Sequence, residues 1–274
     1  MRIAYLGPAG TFTEDALREA LGAGEEFTAL RTPTVHDAIL AVERGEVERA
    51  LVPFENSIEG SVRSTLDTLA FEAEGVTIVG EHDFAVRAQL IAREPLELDR
   101  IEAVLSHPQP LAQCARFLRE NLSAAELRRT SSTAEAVRLV SESSESWAAI
   151  GGRSAADLYG CEILREGVED EANNVTRFVW IAPAGTEPEP GESWKTSLVF
   201  SELGEDHPGA LVEALQEFSS RGVNLTRIES RPLRSELGRY MFFCDLEGAA
   251  DTPAVSEAIS ALRTKAESVR VLGS

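Results

Sequence analysis

From Asn173 to Phe178 the chain reads NNVTRF, crowding two amides, a hydroxyl and a guanidinium ahead of the apolar run VWIA. None of these groups changes protonation near neutrality, so their chemistry is binding, orientation and polarisation. Similar clusters recur. GPAGTFT carries Gly7, Gly10 and Thr11. ENS carries Glu55, Asn56 and Ser57. SHPQ carries Ser106, His107 and Gln109, with Gln113 one helical turn on, and SST supplies Ser131, Ser132 and Thr133. Serine and threonine ahead of a helix are commonly caps. GPAGTF lacks both the Gly-Lys-Ser/Thr ending of a P-loop and the G-x-G-x-x-G spacing. The four histidines and three cysteines stand at neither metal-ligand nor disulfide spacing. The inventory suits an anion held by neutral donors, helped by free N–H groups at helix starts.

The elements that must position these clusters follow from periodicity. Short apolar runs bounded by turn residues, at 2–6, 49–54, 101–106, 127–130 and 147–151, read as strands. Stretches of helical spacing follow them, such as Leu111, Ala115 and Leu118, or Ala136, Leu139 and Val140. Repeated βα units imply an α/β fold with a mainly parallel sheet covered by helices. Ser132 with Glu135, and Thr34 with Asp37, have the capping-box pattern, and Gly45 takes the C′ role. Residues 75–93 contain two strands and no helix, and read as the crossing from a first lobe into a second. Every cluster but one then lies at the carboxyl end of a strand, the edge where open α/β sheets bind ligands. NNVTRF lies at the amino end of its strand. An antiparallel entry would bring it to the same edge. Asn173 and Asn174 read as turn-forming amides.

The Pro/Gly/Glu-rich stretch 183–193 reads as a linker, separating a region 1–182 from a smaller one at 194–274. The latter has the order βαββαβ, a ferredoxin-like arrangement. Length, 274 residues with 43% apolar, fits a soluble globular protein. The N-terminus has no signal-peptide pattern and no apolar run approaches a membrane span, so a cytoplasmic protein with reduced thiols is expected. A net charge of −20 argues against nucleic-acid binding.

The ordered motifs GPAGTFT, VPFENSIEGSV, SHPQPLAQC, STAEAV and NNVTRF closely resemble those of prephenate dehydratases of the single-function bacterial type, over essentially the whole chain. HPGALVEAL and RGVNLTRIESRP resemble an ACT regulatory domain. Met1 lies too close to GPAG for the chorismate mutase bundle of bifunctional members. The resemblance implies a two-lobed catalytic region like type II periplasmic binding proteins. Lobe 1 is about 1–75 plus 176–182, and lobe 2 about 76–175. It implies conversion of prephenate to phenylpyruvate, carbon dioxide and water, with no cofactor and no metal. By motif, Thr176 stands beside the leaving hydroxyl, with Asn56 and Gln113 orienting the departing groups. Thr11, Ser57, Ser106, His107, Gln109, Ser132, Thr133, Arg177 and Phe178 fall around the substrate, Arg177 on a carboxylate. L-phenylalanine is the implied effector, at Gly209, Ala210, Leu211, Asn224, Leu225, Glu229 and Ser230, in a homodimer or homotetramer joined through ACT domains. Arogenate dehydratase and a non-catalytic amino-acid sensor are the alternatives. The intact Asn56, Gln113 and Thr176 set speaks against the sensor.

Overall fold

The computed structural model describes residues 1–22, 27–188, 191, 193–204 and 207–274. Part of the expected linker, at 189, 190 and 192, lies outside the described residues. Contacts divide the chain into two compact units, Met1–Leu66 with Glu81–Val179, and Asp67–Gly80 with Trp180–Ser274.

The chain begins with β1 (Arg2–Leu6), α1 (Phe12–Leu21), β2 (Thr28–Thr32), α2 (Val35–Glu43), β3 (Arg49–Asn56), the short β4 (Gly60–Ser61) and α3 (Arg63–Phe71). It continues through β5 (Val76–Ala85), β6 (Gln89–Ala92), β7 (Ala103–Ser106), α4 (Pro108–Gln113), α5 (Ala115–Asn121), β8 (Glu126–Arg129), α6 (Thr133–Glu142), β9 (Trp147–Gly151), α7 (Arg153–Tyr159), β10 (Glu162–Glu166) and β11 (Val175–Pro183). The last part holds β12 (Lys195–Ser201), α8 (Ala210–Ser219), β13 (Leu225–Pro232), β14 (Tyr240–Glu247), α9 (Pro253–Leu262) and β15 (Ser268–Gly273). The two strands expected within 75–93 are present as β5 and β6. Strands β2, β4 and β10 add to the expected set, and the helix expected after SHPQ breaks at Cys114 into α4 and α5.

The first unit has two lobes. In one, β1 lies between β2 and β3, parallel to both, and β11 adjoins β3. The other is a five-stranded sheet in the order β10-β6-β9-β7-β8. Strand β7 shows why its sequence is continuously apolar. Val104 packs with Leu111 and Leu118 on one face, while Ala103 and Leu105 pack with Val137 and Val140 on the other. Burial on both faces needs apolar residues at every position, each Val or Leu stabilising by about 1.5–3 kcal/mol. The helix starts agree with the capping patterns. Thr34 accepts from Asp37 N and Ser132 from Glu135 N, each cap contributing about 1 kcal/mol. Gly45, at φ 68°, ends α2 by donating to Val42 O. Among the described residues no helix is long and apolar enough to cross a membrane.

The second unit realises the βαββαβ order. Its strands run β13-β14-β12-β15, antiparallel at each step. α8 and α9 cover one face through Phe218, Ile259 and Leu262, against Leu198, Phe200 and Leu246. Gly273 pairs with Ile78, where a Cβ would fall 2.0 Å from the Ile78 carbonyl oxygen, so only glycine fits. The effector residues implied by resemblance fall on two elements. Gly209, Ala210 and Leu211 open α8. Leu225, Glu229 and Ser230 lie on β13, and Asn224 precedes it.

Candidate active site

Four helix starts open onto one cavity of about 950 Å³ between the lobes of the first unit. They are the first turns of α1, α3, α4 and α6. Their free N–H groups and dipoles make the cavity receptive to negative charge. Of the residues expected here, Thr11, Asn56, His107, Gln109, Gln113, Ser132, Thr133, Thr176 and Phe178 line it. Several also cap or brace. Ser132 caps α6. His107 Nδ1 accepts from Gln109 N at 3.4 Å. Thr11 donates to the backbone carbonyls of Leu6 and Pro8. Phe178 packs edge-on to Phe84, with centroids 6.4 Å apart.

Ser57, Ser106 and Arg177 are not among the lining residues, and each has another occupation. Ser57 Oγ donates to Asn173 O at 2.8 Å and accepts from Val175 N at 3.0 Å, bracketing the start of β11. Ser106, fully buried, donates to Ile150 O at 2.7 Å across β7 and β9. Arg177 sits between Thr176 and Phe178 on β11. Strand alternation turns it to the opposite face, where it pairs with Glu81 and stacks over Phe54 at 5.0 Å. Replacing Arg177 with glutamine is therefore expected to cost about 1–3 kcal/mol of stability and to move KM for substrate by no more than about twofold. Denaturation and steady-state kinetics check both halves. A KM about tenfold higher at unchanged stability would return Arg177 to the substrate.

Strand β11 begins beside the end of β3, since Ser57 N donates to Val175 O. This brings NNVTRF to the edge where β3 ends. There Asn56 is buried, with an unambiguous orientation. Its Oδ1 accepts from Ile58 N and Glu59 N at 2.9 and 3.0 Å. Its Nδ2 must then donate, and it faces Asn174 Oδ1 at 2.8 Å, Thr176 Oγ1 at 2.9 Å and Val175 O at 3.3 Å. Asn174 Nδ2 donates to Gln113 Oε1, and Gln113 Nε2 donates to Glu59 Oε1, each at 3.1 Å. Closed by the Glu59 backbone N–H on Asn56 Oδ1, these groups form a circuit of donors and acceptors, with Gln113 from one lobe and Asn56 and Glu59 from the other. Asn174, 1% exposed, is thus a member of the site and not a turn amide. A buried polar group must find partners, but a sequence does not say which of two adjacent asparagines is the buried one.

The circuit has a consequence for Thr176. Its Oγ1 accepts from Asn56, and its hydroxyl proton has no acceptor among the described residues. That proton is available to a guest in the cavity. A second group absent from the expectations is Arg31, which also lines the cavity from the end of β2. Its Nε donates to Tyr5 Oη at 2.9 Å. Burial pushes the Tyr5 phenol up to about 12, so it stays protonated, and the nearby Glu14 carboxylate adds to that shift. Burial opposes ionisation of Glu14, yet Arg18, the Gly10 N–H and Tyr5 together hold its carboxyl below the usual range. The cavity thus offers neutral donors, one directed hydroxyl and one guanidinium, a set able to bind an anion and to donate a hydrogen bond to an atom gaining charge.

Residues 3–186 match the family model for prephenate dehydratase, and 202–264 match that for the ACT domain. The prephenate dehydratase of Amycolatopsis methanolica is 39% identical over all of this chain and 88% of its own length. The crystal structure of prephenate dehydratase from Arthrobacter aurescens, in complex with L-Phe, superposes with a TM-score of 0.90 at 37% identity, covering all of this chain and 89% of that one. A further solved structure, GqqA, described as a novel type of quorum quenching acylase, gives a TM-score of 0.87 at 33% identity, covering all of this chain and 97% of that one.

Proposed function

We propose, from the premise that the chain belongs to the prephenate dehydratase family, that it converts prephenate to phenylpyruvate, carbon dioxide and water in the cytoplasm, under control of phenylalanine at its ACT part. The observation that carries this reading is the hydroxyl of Thr176, fixed as an acceptor from Asn56 and left with a proton to donate. As the ring carboxylate departs as carbon dioxide, the electron pair of the breaking C–C bond enters the ring and expels the ring hydroxyl. Aromatisation drives the step, and no base is required. One proton balances it, turning the departing hydroxide into water. A threonine hydroxyl is too weak an acid to ionise freely. Thr176 polarises the leaving oxygen and relays to it a proton drawn from solvent water, while the helix starts hold the carboxylates in line.

The acylase activity stated for GqqA is a different chemistry. A threonine nucleophile gives its proton to a base, whereas Thr176 here takes a hydrogen bond from an amide. Arogenate differs from prephenate only at the side-chain amino group. Following phenylpyruvate by its ultraviolet absorbance, with prephenate and arogenate in parallel and with or without L-phenylalanine, tests the reading. We expect turnover of prephenate and a lower rate when phenylalanine is present. No phenylpyruvate from prephenate would overturn the catalytic assignment. Calorimetry without a phenylalanine signal would remove the regulatory one alone, along with the homo-oligomeric effector site at Gly209 and β13.

A further inference from the structure

We infer that Arg31 is the residue that receives a carboxylate of the substrate. The inference rests on the dehydratase reading, because it is the dianionic substrate that calls for a cation. In a chain of net charge −20, a dianion needs a local positive site. Among the described residues lining the cavity, Arg31 is the only lysine or arginine. Arg177, the guanidinium the motif suggests, is committed to Glu81 on the other face of β11.

Arg31 is also built to serve. Its Nε is anchored on Tyr5 Oη, the Glu14 carboxylate acts on it through space, and its two terminal nitrogens have no hydrogen-bond partner among the described residues. Tyr5 is fully buried, so the phenol that anchors Arg31 is fixed by the core around it. The register pairs Tyr5 with Arg31 across β1 and β2, which brings the phenol to the guanidinium. Gly7 makes room for the stem, since a Cβ there would fall 3.2 Å from Arg31 Cβ. An anchored guanidinium with a free planar fork matches a carboxylate bidentately. The two carboxylates that line the cavity are otherwise engaged: Glu135 with Arg138, and Glu59 with Gln113.

The test separates this assignment from the dehydratase reading. Prephenate affinity is measured by calorimetry on Thr176→Ala protein, so that binding is read without turnover, and again after adding Arg31→Gln. The dissociation constant is expected to rise by about tenfold or more. Arg31→Lys should recover part of the loss, because it restores the charge and not the fork. In the otherwise wild-type enzyme, Arg31→Gln should raise KM with kcat within about fivefold, and should flatten the rise of KM with salt. Tyr5→Phe should raise KM by a smaller factor. Affinities within twofold of each other, with and without Arg31, would overturn the assignment. Absence of turnover in the wild type counts against the dehydratase reading, and the binding comparison still decides the role of Arg31.

Discussion

Thr176→Ala is expected to lower kcat by about a hundredfold or more and to leave KM for prephenate within about threefold, the pattern of a group acting chiefly in the transition state. Its hydroxyl accepts from a fixed amide and, among the described residues, keeps its own proton for the guest. Alanine removes that donor and little else. Asn56 Nδ2 still has Asn174 Oδ1 and Val175 O, and the circuit through Gln113 and Glu59 does not pass through residue 176. The stability cost should therefore be about 1 kcal/mol. Thr176→Ser keeps the hydroxyl, loses only a methyl group, and should stay within about tenfold of wild type. Steady-state kinetics with thermal melts separate these cases. An alanine variant of near-native kcat would remove Thr176 from the chemistry.

Much of this site can be read in the sequence for one physical reason. Helix caps and the residues suited to an anion are the same residue types in the same place, so His107 and Ser132 each cap a helix and line the cavity at once. The strands that position them are equally plain where both faces are buried, as in β7. The failures also have identifiable causes. NNVTRF places Thr176, Arg177 and Phe178 in succession, and an extended strand cannot present all three to one cavity. Arg177 faces away for that reason alone. Arg31 stays hidden because its strand, TALRT, offers only Ala29 and Leu30 as apolar residues and lies at the end of the sheet. Without the strand, nothing sets Arg31 opposite Tyr5. The ion pairs of Asp67 with Arg231 and Arg234, which contribute to the second unit, join residues far apart in the chain, and no local pattern foretells them.

Asn56→Asp should be as damaging to kcat as the loss of Thr176, again about a hundredfold or more, although the side chain keeps its size and shape. One carboxylate oxygen can go on accepting from Ile58 N and Glu59 N. The other replaces Nδ2 and meets three acceptors, at Asn174, Val175 and Thr176. Thr176 can relieve its contact by turning its O–H toward the introduced carboxylate, which takes the proton away from the leaving oxygen. Asn174 can flip its amide, but Gln113 must then flip as well, and Gln113 Oε1 ends against Glu59 Oε1. The conflict travels around the circuit without being resolved, and a loss of about 2–4 kcal/mol in stability should accompany it. Protonating the introduced carboxylate restores a donor at the original place, so kcat of this variant should rise as the pH falls, in the direction opposite to a catalytic base. Adding Glu59→Gln lets residue 59 donate to the flipped Gln113, and should return about 1 kcal/mol of stability while leaving kcat low. Recovery of kcat in the double variant would mean that the circuit, and not the direction of the Thr176 proton, governs the reaction.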